Sequence, residues 1–158
     1  MRLRLKLTCI ALCAAGMALP AGDPEGFKMW KADDLTMFTK TLGPKVNATT
    51  KVATEQLGAV GNYSFMVAHR EGSGEAEYHE KQADIFVVET GEGTLIIGGK
   101  MNDGHTTAPN EIRAPSITGG VEKKIAAGDV LTIPAKLPHQ VKVDAGKQIT
   151  YFVVKVTQ

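Results

Sequence analysis

A series of short segments rich in β-branched and aromatic residues, separated by glycine-containing turns, limits the folds open to this chain. Turns such as Gly91-Glu92-Gly93 and Ala127-Gly128-Asp129 mark the boundaries. Short strands at regular spacing are typical of sandwiches and barrels, and closing the sheet or doubling it protects the strand edges. We therefore expect an all-β jelly roll or double-stranded β-barrel. The predicted strands are Tyr63–His69, Ala76–Lys81, Asp84–Val88, Thr94–Ile97, Val121–Ile125, Val130–Ile133, Gln140–Val143 and Gln148–Val156.

One short helix is predicted before the strands. Between Trp30 and Leu42 the apolar residues Leu35, Phe38 and Leu42 recur at helical spacing, and Gly43-Pro44 ends the pattern. We expect this helix to pack over one end of a sheet. The predicted domain organisation is a signal peptide at residues 1–21, a leader with the helix at 22–49, and the β-barrel domain at 50–158.

The first 21 residues have the pattern of a signal peptide. Arg2, Arg4 and Lys6 precede an apolar run from Leu7 to Leu19, and small residues follow. The run is shorter than the ~20 residues that span a bilayer. A lipoprotein signal is the alternative because Cys9 and Cys13 lie nearby, but the large Leu12 before Cys13 disfavours it. We expect a periplasmic or secreted protein with no membrane association after signal cleavage.

The mature chain is cysteine-free and close to neutral. Both cysteines lie in the predicted signal peptide, so neither disulfides nor thiolate chemistry is expected. Without Arg2, Arg4 and Lys6, 15 of the 18 basic residues remain against 17 acidic ones, a net charge near −2. No basic patch is visible, so nucleic acid is not an expected partner. About 137 residues suffice for one domain with its own core.

A first cluster of polar residues interrupts the β pattern at Glu77-Tyr78-His79 and Asp84. Glu77 and His79 are two residues apart in a predicted strand, so their side chains share one face. Asp84 opens a segment that is apolar on both faces. A buried carboxylate there needs a partner, because an unpaired buried charge is costly. A metal ion shared with His79 would supply one.

A second cluster ends at His139. Gly128-Asp129 forms a turn before the predicted strand at Val130, and Pro134 and Pro138 restrict the backbone that leads to the histidine. A histidine oriented in this way costs little to organise into a site. A histidine that only hydrogen-bonds the loop backbone is the alternative. Imidazole and carboxylate ligands together suit a borderline divalent cation.

These two clusters resemble the two motifs of the cupin superfamily, and the resemblance covers residues 63–155. The first motif contains a His-x-His pair, a glutamate and a later glycine. Here Glu77 stands in place of the first histidine, His79 is the second, Asp84 replaces the glutamate, and Gly91 follows. A register that begins at His79 would place Lys81 at the second histidine, and a protonated lysine is a poor ligand.

The second cupin motif is a glycine, then a proline and a histidine. Gly128, Pro134 and His139 match it, whereas Lys136 and Val143 replace the family's intermediate glycine and later asparagine. The resemblance implies that Glu77, His79, Asp84 and His139 converge on a divalent metal ion. Two imidazoles and two carboxylates suit Mn, Fe, Zn or Ni.

Three functions remain open on this basis. The first is an exported metal-binding cupin that acts on a small molecule, for which the resemblance implies a metal-dependent oxygenase, isomerase, epimerase or lyase. The second is a non-catalytic protein that binds a small molecule or the metal itself. The third is a structural dimerisation module, and hence a homodimer, with a vestigial site. Fold does not choose among them.

Several other polar residues are candidates for secondary roles. His69 and Glu80 are candidate proton carriers, and His69 is equally explained as a buried core histidine. Arg70 and Arg113 are candidate contacts for an anionic substrate, although surface arginines are common. Residues 100–114, which include His105, are predicted to form a long irregular insertion, either a lid or a surface loop.

Overall fold

The computed structural model describes residues 22–158 of the chain. The predicted signal peptide, the lipoprotein alternative and both cysteines lie outside these residues. Within them, no helix is long and apolar enough to cross a membrane.

The described residues form one α-helix, one short 3-10 helix and twelve strands, which confirms the all-β class with a short N-terminal helix. The helices are α1 Ala32–Leu42 and the 3-10 helix Gly43–Lys45, and the strands are β1 Val52–Val60, β2 Tyr63–Arg70, β3 Ala76–His79, β4 Gln82–Ile97, β5 Lys100–Asn102, β6 His105–Ala108, β7 Glu111–Ala114, β8 Ser116–Thr118, β9 Val121–Ala126, β10 Val130–Ile133, β11 His139–Lys142 and β12 Ile149–Thr157.

Two antiparallel sheets share the long strand β4. The first sheet has the order β1-β2-β12-β4-β10, and the second has the order β9-β4-β11-β3-β7-β6. β5 and β8 form a separate two-stranded ribbon. The residues up to Gly91 pair with β12, and those from Glu92 onward pair with β9. β4 therefore turns the corner between the sheets, which gives the predicted jelly-roll architecture.

Gly91 makes this corner possible. Its φ of +76° lies in the left-handed region, and a Cβ there would overlap the carbonyl oxygen of Gln148. The sequence predicted separate strands before and after this glycine. Instead β4 continues through the bend at Gly91 as one strand, with a bulge between Thr150 and Tyr151 in its pairing with β12.

The main core lies between the two sheets. Every second residue of β4 and β12 points inward, so Phe86 and Val88 pack with Tyr151 and Val153. Phe86 and Tyr151 stack with ring centroids 4.6 Å apart. The other buried members are Ala68, Leu95, Ile125, Ile133, Val141, Val143 and Ile149.

Helix α1 covers the opposite face of the first sheet. Leu42 is fully buried against Ala53 and Val67, and Phe38 and Phe152 pack beside them. The helix therefore buries the sheet face that does not line the barrel interior. This arrangement leaves the interior accessible to a ligand.

Two segments differ from the sequence-based prediction. Residues 100–114 are not an irregular insertion, because β6 and β7 add to the second sheet and β5 pairs with β8. β1 was not predicted. Its alternation is broken by a bulge between Gln56 and Gly58, and an unbroken alternation is the signal by which such a strand is recognised.

Candidate metal centre

Strand pairing brings the two polar clusters together. β3 and β11 are neighbours in the second sheet, and His139 pairs in register with Glu77. His79 lies two residues beyond Glu77 on the same face. Asp84 lies near the start of β4 in the first sheet and closes the cluster from the opposite side. All four residues predicted as ligands therefore lie in one cluster.

The distances in this cluster are short. One ligand atom from each of Glu77, His79 and His139 lies within 4.8 Å of the others, a grouping that could hold a metal ion. The Nε2 atom of His79 is 3.6 Å from Glu77 Oε2 and 3.3 Å from Asp84 Oδ2. The Nε2 atom of His139 is 3.8 Å from Asp84 Oδ2.

Both imidazoles direct Nε2 into the cluster. His79 Nδ1 lies 2.7 Å from Glu111 Oε2, and a carboxylate accepts, so Nδ1 carries the proton. His79 Nε2 lies 3.3 Å from the ammonium of Lys155 and 3.3 Å from Asp84 Oδ2. His139 Nδ1 donates to the carbonyl of Leu137 at 3.1 Å, which leaves Nε2 as the acceptor. Fixing a ring through its second nitrogen is how proteins orient metal-binding histidines.

His139 supplies the clearest test of whether the residues fit a metal ion. Among the described residues, its Nε2 atom is the buried side-chain nitrogen or oxygen without a hydrogen-bond partner. Burial, the largest influence, lowers the pKa of His139 below its usual value and favours the neutral, ligating form. A buried lone pair directed at carboxylates and a second imidazole suits a divalent cation of the Mn, Fe, Zn or Ni group. The residues present therefore fit a metal.

Asp84 has a partner that the sequence analysis did not identify. Lys155 of β12 donates to both carboxylate oxygens of Asp84, at 2.8 and 3.0 Å. Burial acts to raise the pKa of Asp84, but its neighbours His79 and Lys155 outweigh burial and lower it. The signal for Lys155 was available in the sequence, because Tyr151, Val153 and Lys155 share one face of a buried strand, and a lysine there is unusual.

Glu77 is held by two arginines. Arg70 donates from one terminal nitrogen to Glu77 Oε1 at 3.1 Å and from Nε to the hydroxyl of Tyr151 at 2.7 Å. Arg113 lies 3.5 Å from Glu77 Oε2 and 3.3 Å from Glu111 Oε2. Burial acts to raise the pKa of Glu77, but the neighbouring charges, with Arg113 foremost, lower it below its usual value. Both predicted arginines therefore lie at the site.

A cavity of about 640 Å³ opens next to the cluster. Its charged lining includes Arg70, Glu77, Asp84, Arg113 and Lys155, and its uncharged polar lining consists of Thr49, Thr50, Thr54, Gln56 and Ser73. Its apolar wall is formed by Met66, Ala68, Phe86 and Val153. The volume is in the range of small-molecule sites.

His69 and Glu80 lie outside this cavity, which corrects their candidate roles there. Ala68 and Arg70 line the cavity, so strand alternation places His69 on the helix side of the first sheet. There His69 Nδ1 lies 2.8 Å from the hydroxyl of Thr150. Glu80 is exposed in the turn between β3 and β4, and His105 is exposed on β6. Glu111 was not predicted as a site residue, because residues 100–114 show no clear strand pattern in the sequence.

No protein-family model matches the sequence, and no curated protein matches it. Solved structures do match. A recombinant oxalate oxidase in complex with glycolate is 17% identical over 71% of this chain and 54% of its own, with a TM-score of 0.50. A protein from Thermus thermophilus is 17% identical over 71% of this chain and 88% of its own, with a TM-score of 0.51. A cupin-2 domain from Rhodospirillum rubrum is 15% identical over 68% of this chain and 61% of its own, with a TM-score of 0.49.

The TM-scores of 0.50 and 0.51 support a shared fold with the first two structures and nothing finer. The matched part spans about half the length of the oxalate oxidase chain. What that protein binds is a property of that protein, and function in this chain has to be argued from its own residues.

Proposed function

We propose that this chain, which has the cupin fold, is an exported protein that binds a divalent metal ion and a small molecule in the adjoining cavity. The proposed ligands are Glu77, His79 and His139, with Asp84 as the fourth member of the set. The observation that carries the proposal is the pair of buried Nε2 atoms, from His79 and His139, that face the same two carboxylates.

The surrounding residues support this role. Glu111 and the Leu137 carbonyl hold the two rings in the orientation that ligation needs. Arg70 holds one oxygen of Glu77 and leaves the other within reach of His79. A bound ion would supply Lewis acidity, or a site for a ligand oxygen, beside the apolar wall of the cavity.

Elemental analysis of protein purified without chelator tests the proposal. We expect close to one divalent ion per chain in the native protein, and less than about a tenth of that in His79→Ala and His139→Ala, because each variant removes one of two imidazole ligands. His105→Ala is the matched control, since that histidine is exposed and outside the cluster. We expect it to retain the native metal content.

The comparison counts only for folded variants, which circular dichroism and thermal unfolding establish. Equal metal content in all four folded proteins would refute the proposed ligands.

The intact mass of the protein recovered from the periplasm or medium tests export. We expect a mature chain that begins near residue 22, and an uncleaved chain retained in the cytoplasm would contradict the proposed export.

A further inference from the structure

Three carboxylates and three cations form the charged cluster around the proposed metal centre, namely Glu77, Asp84, Glu111, Arg70, Arg113 and Lys155. Each acid lies within ion-pair distance of at least one cation. The shortest contacts are 2.8 Å for Asp84 with Lys155, 3.1 Å for Glu77 with Arg70, and 3.3 Å for Glu111 with Arg113. Its formal charge is therefore zero when both histidines are neutral.

Because the charged cluster is neutral overall, it cannot compensate the charge of a divalent ion. Many metal sites present a surplus of carboxylate charge that the ion neutralises. Here the acidic ligands are already neutralised, so a divalent ion would leave two positive charges in a largely buried region. Like charges that close together repel strongly where water is scarce. An anion that enters with the metal would relieve this repulsion.

The cavity provides the place for such an anion. Lys155 and Arg113 both line it, with side chains 19% and 25% exposed, so both cations face the space that a ligand would occupy. Glu75 also lines the cavity, but it is exposed at the rim, where water screens its charge. The apolar part of the lining, formed by Met66, Ala68, Phe86 and Val153, suits the hydrocarbon part of a ligand.

We infer that the cavity takes a small organic anion with an apolar body, and that the anion and the metal ion each raise the affinity of the protein for the other. This inference rests on the proposed metal site. The coupling is reciprocal, because a change in metal affinity caused by the anion must equal the change in anion affinity caused by the metal.

Zinc affinity in the presence of three aromatic probes tests the inference. The dissociation constant for Zn²⁺ is measured at fixed pH by competition with a chromophoric chelator, without additive and with saturating benzoate, phenyl phosphate or benzamide. Protein-free titrations correct for direct binding of each probe to zinc. Benzamide has nearly the shape of benzoate without its charge, and phenyl phosphate distinguishes a phosphate ester from a carboxylate as the natural source of the anion.

We expect benzoate or phenyl phosphate to tighten zinc binding about tenfold or more, and benzamide to leave it unchanged. In Lys155→Met, zinc alone should bind about tenfold more tightly than in the native protein, and the enhancement by the anion should shrink. Lys155→Arg keeps the charge and should behave like the native protein. Lys123→Met, at an exposed position on β9, is the control for removing a lysine elsewhere.

The possible failures are distinguishable. If zinc binds but benzoate, phenyl phosphate and benzamide have equal effects, the inference is wrong and the proposed metal site stands. If Lys155→Met binds zinc no more tightly than Lys123→Met, the electrostatic argument is wrong. If no protein binds zinc with or without an anion, both proposals fall. The probe comparison in the native protein does not depend on the folding of any variant.

Discussion

The two ring nitrogens of His79 contact different groups. Glu111 accepts from Nδ1 at 2.7 Å, whereas Nε2 lies 3.3 Å from both the ammonium of Lys155 and Asp84 Oδ2. Glu111 therefore fixes the orientation of the ring. Glu111 lies on β7 and is not a proposed ligand. Its effect on metal binding, through the orientation of His79, can therefore be tested without removing a ligand.

Replacing Glu111 should weaken metal binding without removing a ligand. We expect Glu111→Ala to lower the affinity for Zn²⁺ by about 10- to 100-fold, the range found for lost partners of metal-binding histidines. Glu122→Ala, at an exposed glutamate of β9, controls for the loss of one negative charge. Competition titrations measure both values, and equal affinities in the two variants would rule out an orienting role for Glu111.

Tyr151 gives a pH-dependent prediction. Burial raises the pKa of its phenol, and the opposing influence of Arg70 does not cancel the effect. The unfolded chain releases the proton near pH 10, before the folded protein does. The contribution of this group to stability is therefore present below about pH 10 and is lost as the pH rises toward the raised pKa of the folded state.

Denaturant unfolding of the native protein and of Tyr151→Phe, at neutral and alkaline pH, measures the contribution of this phenol to the free energy of unfolding. At neutral pH we expect the variant to be less stable by about 1–3 kcal/mol, because Arg70 Nε loses its buried acceptor. Between about pH 9 and 11 the free energy of unfolding should fall more steeply in the native protein than in the variant. Parallel slopes would contradict the raised pKa.

Among the elements, β4 determines how the two sheets are joined. Its first part carries Asp84 and Phe86 in the first sheet, and its second part supports β11, which carries His139. The bend at Gly91 sets the angle between these parts. A disturbed corner would therefore affect the site as well as the core.

Gly91→Ala should lower the free energy of unfolding by more than the cost of placing a side chain in the left-handed region. Gly146 is the matched control, because its φ of +77° is nearly the same and a Cβ at that position would meet no atom within 4 Å. We expect Gly146→Ala to cost about 1–2 kcal/mol, the cost of a left-handed conformation for a residue with a Cβ. Gly91→Ala should cost clearly more, because its Cβ would overlap the Gln148 carbonyl. Equal losses of unfolding free energy would show that the corner relaxes around the side chain.

In the molecule as a whole, the two faces of the first sheet have different roles, one in stability and the other in the proposed metal site. One face packs against helix α1 through Leu42, and the other contributes Asp84 and Lys155 to the cavity. Stability on the helix side and metal binding on the cavity side should therefore respond to different substitutions.

Leu42→Ala tests this separation. Removing a fully buried leucine should cost about 2–5 kcal/mol of unfolding free energy. The metal content of the folded protein should stay at the native value. Met37→Ala, at a half-exposed position of the same helix, should cost much less. Loss of metal from folded Leu42→Ala would show that the two faces are coupled.

Local patterns in the sequence were enough to establish the β class, the helix and most strands, because alternation, β-branched composition and glycine turns are properties of short segments. They also identified both proposed metal-binding histidines, since their motifs are short. Which charges meet depends on the folded chain. Lys155 reaches Asp84 from a strand 71 residues away, and Glu111 reaches His79 across 32 residues. Pairing across such distances depends on strand order and register, which no local pattern encodes, so the neutral charge balance of the site became visible only in the tertiary structure.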